Sequence, residues 1–520
     1  NYKRDRLTLD AVLSYKRTGS YNRNGRPEGD DLTQANYQLR GISWMTQTTP
    51  NDTAWSFQQL TGPDLYQLHN WRATTAANNL VRTVAEPIYK RLVGTLDATY
   101  DIPTLVPLKL AVGLKGGDYT HLNLARTASW TYVGPTGSAA EAAVPVSNAP
   151  LDPRTGGDLF TNGVIQVPDR NALGAMLKSS PGHFIPNPAD ATNNTNVFPN
   201  RYANERINAA YVMATSRLKR LTVQAGVRYE GTRTEADIYE RGAQTRRNGE
   251  YDNYFLSGSA RYRFSSNLML IGSAGQSIAR VALPSMAGVA TFNDTTMTGN
   301  IPNVNLRPEH GNNYSVRLEY YWEPLGVLAI GGYQFDINDL QFSRSGVPAE
   351  ALGLQDEYPG YTFSTQDNAG SFRNRGFEIE YRQQLTFLPG YLRGLGVFAN
   401  YGNNKVSNPA YALGMARETA SAGLQLRRGR LSGSIRGSWR GPTALRTADL
   451  LEWRKPLWNL GVSAGFEFTE KTALFITGNN ILNTPVIYYW TEGRGAGLDG
   501  LYTQWQQFSA TWTVGVKTRF

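Results

Sequence analysis

Phe508-Ser509-Ala510-Thr511-Trp512-Thr513-Val514-Gly515-Val516-Lys517-Thr518-Arg519-Phe520, at the end of the sequence, alternates without a break. Phe508, Ala510, Trp512, Val514, Val516, Thr518 and Phe520 share one phase, and Ser509, Thr511, Thr513, Gly515, Lys517 and Arg519 the other. Strict alternation is the signature of a strand with one apolar and one polar face. It persists to a final aromatic residue, whereas chain ends are usually frayed and polar. A barrel that closes in lipid needs an intact last strand with apolar side chains outward.

The same period recurs upstream. Leu7, Leu9, Ala11, Leu13 and Tyr15 alternate with Thr8, Asp10 and Ser14. Leu92, Leu96, Ala98 and Tyr100 alternate with Thr95, Asp97 and Thr99. Leu221, Val223, Ala225, Val227 and Tyr229 alternate with Thr222, Gln224, Arg228 and Glu230. Tyr314–Trp322, Phe377–Tyr381, Leu431–Trp439 and Trp458–Phe468 repeat the pattern. These runs are about 10–14 residues long, against a mode of about 5–6 for soluble strands and about 9–11 for tilted membrane strands.

The connections sort by length. Short ones fall at 216–219, 264–267, 323–326, 427–430 and 469–472. Long ones fall near 120–203, 236–251, 282–310, 343–370, 440–455 and 485–502. Outer-membrane barrels have this asymmetry, with short periplasmic turns and long outer loops. The expected fold is therefore all-β: a large antiparallel transmembrane β-barrel of about 16–18 strands. The stretch 36–80 holds either two more strands or a long outer loop.

Composition agrees. The 520 residues include no cysteine, 29 tyrosines, 11 tryptophans and 52 glycines, with 18% charged. Absent cysteine excludes disulfides and thiolate metal sites. No run approaches the roughly 18 apolar residues of a transmembrane helix. The mean hydropathy of −0.42 does not exclude a barrel, because only alternate residues face lipid. The net charge of +10 is spread thinly, so no nucleic-acid partner is assigned. Residues 1–15 carry no signal peptide, and the chain opens inside a strand pattern.

Period two then sorts the side chains. The apolar face points to lipid, with Tyr100, Tyr229, Trp322, Trp439 and Trp458 at strand ends, where their rings suit the membrane interface. The polar face points to the lumen and carries Arg228, Glu230, Arg317, Glu319, Glu378, Glu380, Arg382, Arg436 and Glu467. Mixed charges of this density are too costly for a dry core.

Five segments resemble the C-terminal barrel of TonB-dependent outer-membrane receptors. They are 226–232 (GVRYEGT), 303–309 (NVNLRPE) with Asn313-Tyr314, 374–380 (NRGFEIE), 478–483 (GNNILN) and the closing 514–520 (VGVKTRF). The resemblance is strongest over 200–520 and implies an active transporter in the bacterial outer membrane. Its barrel binds a scarce or bulky nutrient (siderophore, cobalamin, haem or glycan) at the outer loops and imports it with TonB-transmitted energy. It also implies several partners: lipid, a plug domain inside the lumen, the TonB complex, and the barrel-assembly machinery acting on the strand that ends in Phe520. The plug and coupling box are not found here, and barrels of this family have about 22 strands. The 520 residues are accordingly expected to be a barrel fragment with a large outer loop at about 120–203, lacking a partner for Leu7–Tyr15 and a plug in the lumen. The lumen-facing charges are then candidate plug contacts. A passive porin is the alternative.

No zinc-protease, nucleophile-elbow or nucleotide-binding motif appears. His69, His121, His183 and His310 fall in expected loops without ligand spacing. The chain is thus expected not to be an enzyme, with no catalytic, cofactor or metal residues. Candidate ligand contacts in the loops are Trp130, Tyr132 and Phe184, and Tyr488, Tyr489, Trp490 and Arg494. Aromatic rings with arginine at a vestibule can bind flat or sugar-like ligands by stacking and hydrogen bonds, though the same rings can instead fold the loops.

Overall fold

The computed structural model describes the chain apart from residues 1, 21, 24–31, 33, 48–55, 68–69, 74–79, 136–150, 159–163, 189–200, 242, 369, 409–412, 447–451, 491–501 and 519–520. Among the described residues, seventeen strands follow one another as antiparallel neighbours. They are β1 (Tyr2–Arg4), β2 (Leu7–Gly19), β3 (Leu80–Ile102), β4 (Leu108–Tyr132), β5 (Arg201–Leu218) and β6 (Leu221–Glu240). Next come β7 (Ala243–Arg263), β8 (Leu268–Ala279), β9 (Glu309–Trp322), β10 (Gly326–Asn338), β11 (Ser371–Gln384) and β12 (Leu395–Val406). The last five are β13 (Glu418–Arg428), β14 (Leu431–Arg440), β15 (Leu457–Glu467), β16 (Thr472–Asn479) and β17 (Thr511–Thr518). Registers run from Tyr2↔Leu9 in the first pair to Ile476↔Val514 in the last. Among the described residues no register joins β17 to β1 or β2. No described helix is long and apolar enough to cross a membrane.

The alternation has a physical correlate in the exposure of the side chains along β6. On β6, Val223, Val227 and Tyr229 are exposed, while Glu230 is only 8% exposed and Thr232 and Thr234 are buried. On β17, Trp512, Val514 and Val516 are exposed, Val514 by 66%. Phe466 is exposed and Leu221 half-buried. A row of exposed apolar side chains is what a lipid-facing wall looks like without its lipid.

Aromatic rings bound this wall at two levels. Near the short turns Tyr262 meets Phe264 edge-on at 4.9 Å, and Trp322 lies between Tyr320 and Tyr381 at 5.7 and 6.0 Å. At the other level Tyr229 meets Tyr254 at 5.2 Å, and Trp439 meets Trp458 at 6.1 Å. From Tyr262 to Tyr254 a strand tilted about 40° climbs about 20 Å. That is close to the apolar band of about 25 Å expected for such barrels.

The start of one expected loop and nearly all of another are strand instead. β4 continues past residue 120 to Tyr132, and β6 and β7 form one ribbon through 236–251, turning at Arg241. These segments lie above the apolar band, where the outer face no longer has to be apolar, so their sequence loses the contrast that marks a strand. His121 and His310 accordingly sit on strands, and His121 is buried. Within 36–80, Ser43–Gln47 and Ser56–Thr61 form a separate hairpin rather than wall strands.

Candidate ligand vestibule

Beyond the outer aromatic level, two long connections leave the wall and fold together. Segments Thr291–Asn293 and Thr298–Asn300 come from the β8–β9 connection. Gln341–Pro348 and Thr362–Asn368 come from the β10–β11 connection. The four make one small sheet. Its core is apolar and aromatic: Phe363, Ile301 and Val347 are buried, and Tyr358, Tyr361 and Phe292 pack around them. Phe292 stacks on Tyr358 at 4.9 Å and meets Phe363 edge-on at 6.2 Å. Offset and edge-on contacts are the arrangements that ring quadrupoles favour.

The stretch 303–309 staples these connections to each other. Val304 and Leu306 are buried. Asn303 Nδ2 donates to the Gln366 carbonyl at 3.1 Å, and the Arg307 amide donates to Asn368 Oδ1 at 2.7 Å. Asn368 Nδ2 returns a bond to the Arg307 carbonyl at 2.8 Å. Short amide side chains suit this role because they satisfy backbone groups that no ladder reaches.

This lid is latched to the ribbon of β6 and β7. The Arg241 guanidinium lies 4.6 Å from the Phe292 ring centre and donates to both oxygens of Asp294, at 2.7 and 3.2 Å. Tyr361 also donates to Asp294. The Arg241 and Tyr361 hydrogen bonds hold the Asp294 carboxyl down at about 2. Arg247 bridges Glu240 at 2.9 Å and Glu357 at 2.6 Å, and its bond lowers the pKa of Glu357. Tyr358 Oη donates to Glu240 at 2.8 Å, and burial above all raises this phenol to about 12.

The β8–β9 connection also lies on the wall's polar face. Val281, Met286, Val304 and Leu306 pack against Ala203 of β5 and Ala236 of β6. Gly249 of β7 permits this approach: a Cβ there would stand 2.8 Å from the Val304 carbonyl oxygen.

Below it a cavity of about 630 Å³ opens against the wall, lined by Lys115, Tyr119, Tyr211, Arg228, Phe255 and Arg280 among others. Arg228 Nε donates to Glu230 at 2.7 Å. Arg280 pairs with Glu230 and reaches Glu205 at 3.4 Å and Thr232 at 3.1 Å. Tyr251 Oη donates to Glu205 at 2.9 Å. Farther round, Arg317 bonds Glu319 and Glu380, both at 2.7 Å. Glu319 and Glu380 flank Ala329 in one row, so the small middle residue leaves the lane open. Arg382 approaches Glu380 at 3.8 Å, and Arg436 lies over the Phe398 ring. Glu378 and Glu467 are exposed on the same polar phase.

The loop aromatics singled out from sequence go elsewhere. Tyr132 and Phe184 are buried together at 5.4 Å with Leu32, Leu80 and Leu173, the last from helix α1 (Arg170–Ser179); Trp130 packs alongside. In this arrangement Tyr132 and Phe184 form a loop core rather than a ligand surface, because their neighbours in the cluster are apolar and bury both rings. Tyr488, Tyr489 and Trp490 form a half-buried strand in a second four-stranded loop sheet with Thr443–Arg446, Glu452–Arg454 and Tyr502–Gln506. Arg494 and Phe520 lie outside the described residues. Arg280, Arg241 and Asp294 were missed from sequence, because nothing local in a loop tells which carboxylate a cation will meet. Among the described residues no group of acidic or histidine side chains could hold a metal.

Residues 2–481 match the family model described as TonB dependent receptor-like, beta-barrel. Solved structures add a likeness of fold. The ferric-catecholate import receptor Fiu from E. coli K12, closed form, superposes with a TM-score of 0.56 at 12% identity, over 99% of this chain and 62% of that one. FpvAI in its complex with pyocin S2 gives 0.55 at 12%, over 98% and 52%. The siderophore receptor PiuA from Acinetobacter baumannii gives 0.54 at 11%, over 86% and 59%. The chain thus spans between about half and three-fifths of the length of these structures. No curated protein sequence matches it.

Proposed function

The chain belongs to the TonB-dependent receptor β-barrel family, and from that premise we propose that it is the wall and outer mouth of an outer-membrane active transporter. A scarce or bulky nutrient binds under the loops and is imported with energy delivered by the TonB complex. The observation that carries this reading is the union of three features on one sheet: an exposed apolar belt, a charged polar face opposite it, and a latched two-connection lid at one end. The belt suits lipid, the polar face suits a hydrated plug domain, and the lid suits a gated vestibule. The wall contributes binding and shape and no bond-making step.

The ligand class is a siderophore, cobalamin, haem or a glycan; the likeness to the ferric-catecholate receptor Fiu and the siderophore receptor PiuA favours a siderophore by fold analogy alone. Lumen-facing Arg228, Glu230, Arg317, Glu319, Glu378, Glu380, Arg382, Arg436 and Glu467 are assigned to the plug interface. The C-terminal strand is assigned to recognition by the barrel-assembly machinery. One feature favours the competing passive-channel reading: the β8–β9 connection lies on the inner face with Arg280 between Glu205 and Glu230, as a constriction would.

The test is transport by the full-length protein in cells with and without a functional TonB complex. Growth on the cognate nutrient that vanishes without TonB supports the active reading. Rapid swelling of liposomes carrying the full-length protein in small sugars would establish the channel instead.

A further inference from the structure

We propose that the outer face of β2 to β7, just above the apolar belt, binds the phosphates of a glycolipid in the outer leaflet. The inference rests on the reading that the belt crosses a bilayer. Asp118, Arg206, Arg233 and Glu250 are successive register partners across β4, β5, β6 and β7. Two guanidinium groups therefore stand directly opposite each other, an arrangement that destabilises a strand pair unless an anion intervenes. The flanking carboxylates compensate weakly. Asp118 contacts Arg206 at 3.2 Å and Glu250 contacts Arg233 at 3.8 Å, with the Arg233 side chain 81% exposed.

Beside these arginines lies a groove of about 580 Å³, lined by Arg206, Asn208, Tyr229, Gly231, Arg233 and Asp252 among others. A side chain at Gly231 would crowd the Tyr229 hydroxyl at 2.9 Å and the Asp252 carboxylate at 3.1 Å. One row farther up, Arg17 of β2 stands opposite Lys90 of β3. Both are exposed, and among the described residues neither has a carboxylate partner. Lys90 and Arg206 are two strand spacings and one row apart, about 12 Å. Two cation pairs at that separation match a compact sugar headgroup with a phosphate at each end, and arginine binds phosphate bidentately.

What lies beneath selects a lipid over a free anion. Val212, Val227 and Leu256 form one exposed apolar row under the groove, below the Tyr229–Tyr254 pair. Acyl chains lying on that row hold the phosphates at the height of the arginines.

The test is native mass spectrometry of the full-length protein in neutral detergent with three probes: a bis-phosphorylated glycolipid, the same lipid after phosphatase treatment, and inorganic phosphate. Retention of the phosphorylated lipid, with at least about tenfold weaker retention after dephosphorylation, is expected from the loss of charge-assisted bonds. Arg206→Gln with Arg233→Gln should weaken it by a similar factor, and Arg17→Gln with Lys90→Gln by less. Heat-modifiable gel mobility checks folding, and the single Arg233→Gln replaces the pair if the pair misfolds. Equal retention of both lipids, or indifference to the arginine changes, overturns the proposal. So does displacement of the lipid by millimolar inorganic phosphate, which would assign the groove to the free anion. Failure to insert into liposomes at all would instead condemn the bilayer reading beneath it.

Discussion

The tall side of the sheet and its short side use the same two-residue period for different ends. β3, β4, β6 and β7 run 23, 25, 20 and 21 residues, whereas β13 to β17 run 11, 10, 11, 8 and 8. The short strands stop near the outer aromatic level, so nearly all their alternation concerns lipid. On β6 the residues from Thr222 to Tyr229 alternate in exposure and the last five, Ala236 to Glu240, are all buried. There the lid covers one face, and Gly288–Val289 pairs along Ile238–Tyr239. A strand's period thus says which residues share a face, but its surroundings decide whether that face meets lipid, water or another segment.

The lid should come apart from the tall side without disturbing the short one. Phe363→Ala removes the centre of the lid core and should cost about 3–5 kcal/mol of local stability. Hydrogen exchange should accelerate in 291–300 and 341–368 and stay unchanged in β13 to β17. Equal acceleration in both would show lid and wall to be one cooperative unit.

Within the belt the two sides should behave alike. Val227→Arg on the tall side and Val514→Arg on the short side should each cost about 2–4 kcal/mol in lipid near the midplane. Asn248→Lys, on the same face above the belt, should change stability by less than about 0.5 kcal/mol. Urea unfolding in vesicles reads all three, and a large penalty at Asn248 would place the belt too low.

Arg280→Met isolates the inner contact. It leaves Glu230 and Glu205 short of a donor in a partly buried site and should cost about 1–3 kcal/mol. Protease sensitivity should rise in 280–308 while the short side is unaffected.

The smallest effect expected is acid loosening of the lid. Asp294 is held at about 2, below its ordinary 3.8, and Glu357 is also lowered. A depressed carboxylate stabilises the folded form above its unfolded pKa, and that contribution fades as pH falls through the folded value. The lid should therefore loosen between about pH 4 and about pH 2, seen as faster exchange at 291–300, with no matching change in β13 to β17. Asp294→Asn should flatten this response.

The belt was legible because lipid demands it residue by residue: Leu221 to Tyr229 and Trp512 to Val516 announce themselves. The upper ribbon was not. Thr234, Asp237 and Arg246 are polar on either face, so the run through 236–251 reads as loop although its ladder is continuous. The lid was illegible for another reason. Phe292 meets Phe363 across two separate connections, and no local pattern pairs residues so distant. Loop aromatics were visible as residues, but their surroundings were not, so Tyr132 and Phe184 read equally as ligand contacts or as loop packing, and in the structure they are buried together.

Val227 and Arg228 are adjacent and must face opposite environments if one face of the wall meets lipid and the other the lumen. The chain has no cysteine, so Val227→Cys and Arg228→Cys each carry a single fluorophore. In vesicles doped with nitroxide-labelled acyl chains, the label at 227 should be strongly quenched and that at 228 should not. A water-soluble quencher should give the reverse order. Equal quenching of both positions by the lipid nitroxide would contradict a wall with lipid on one face and lumen on the other.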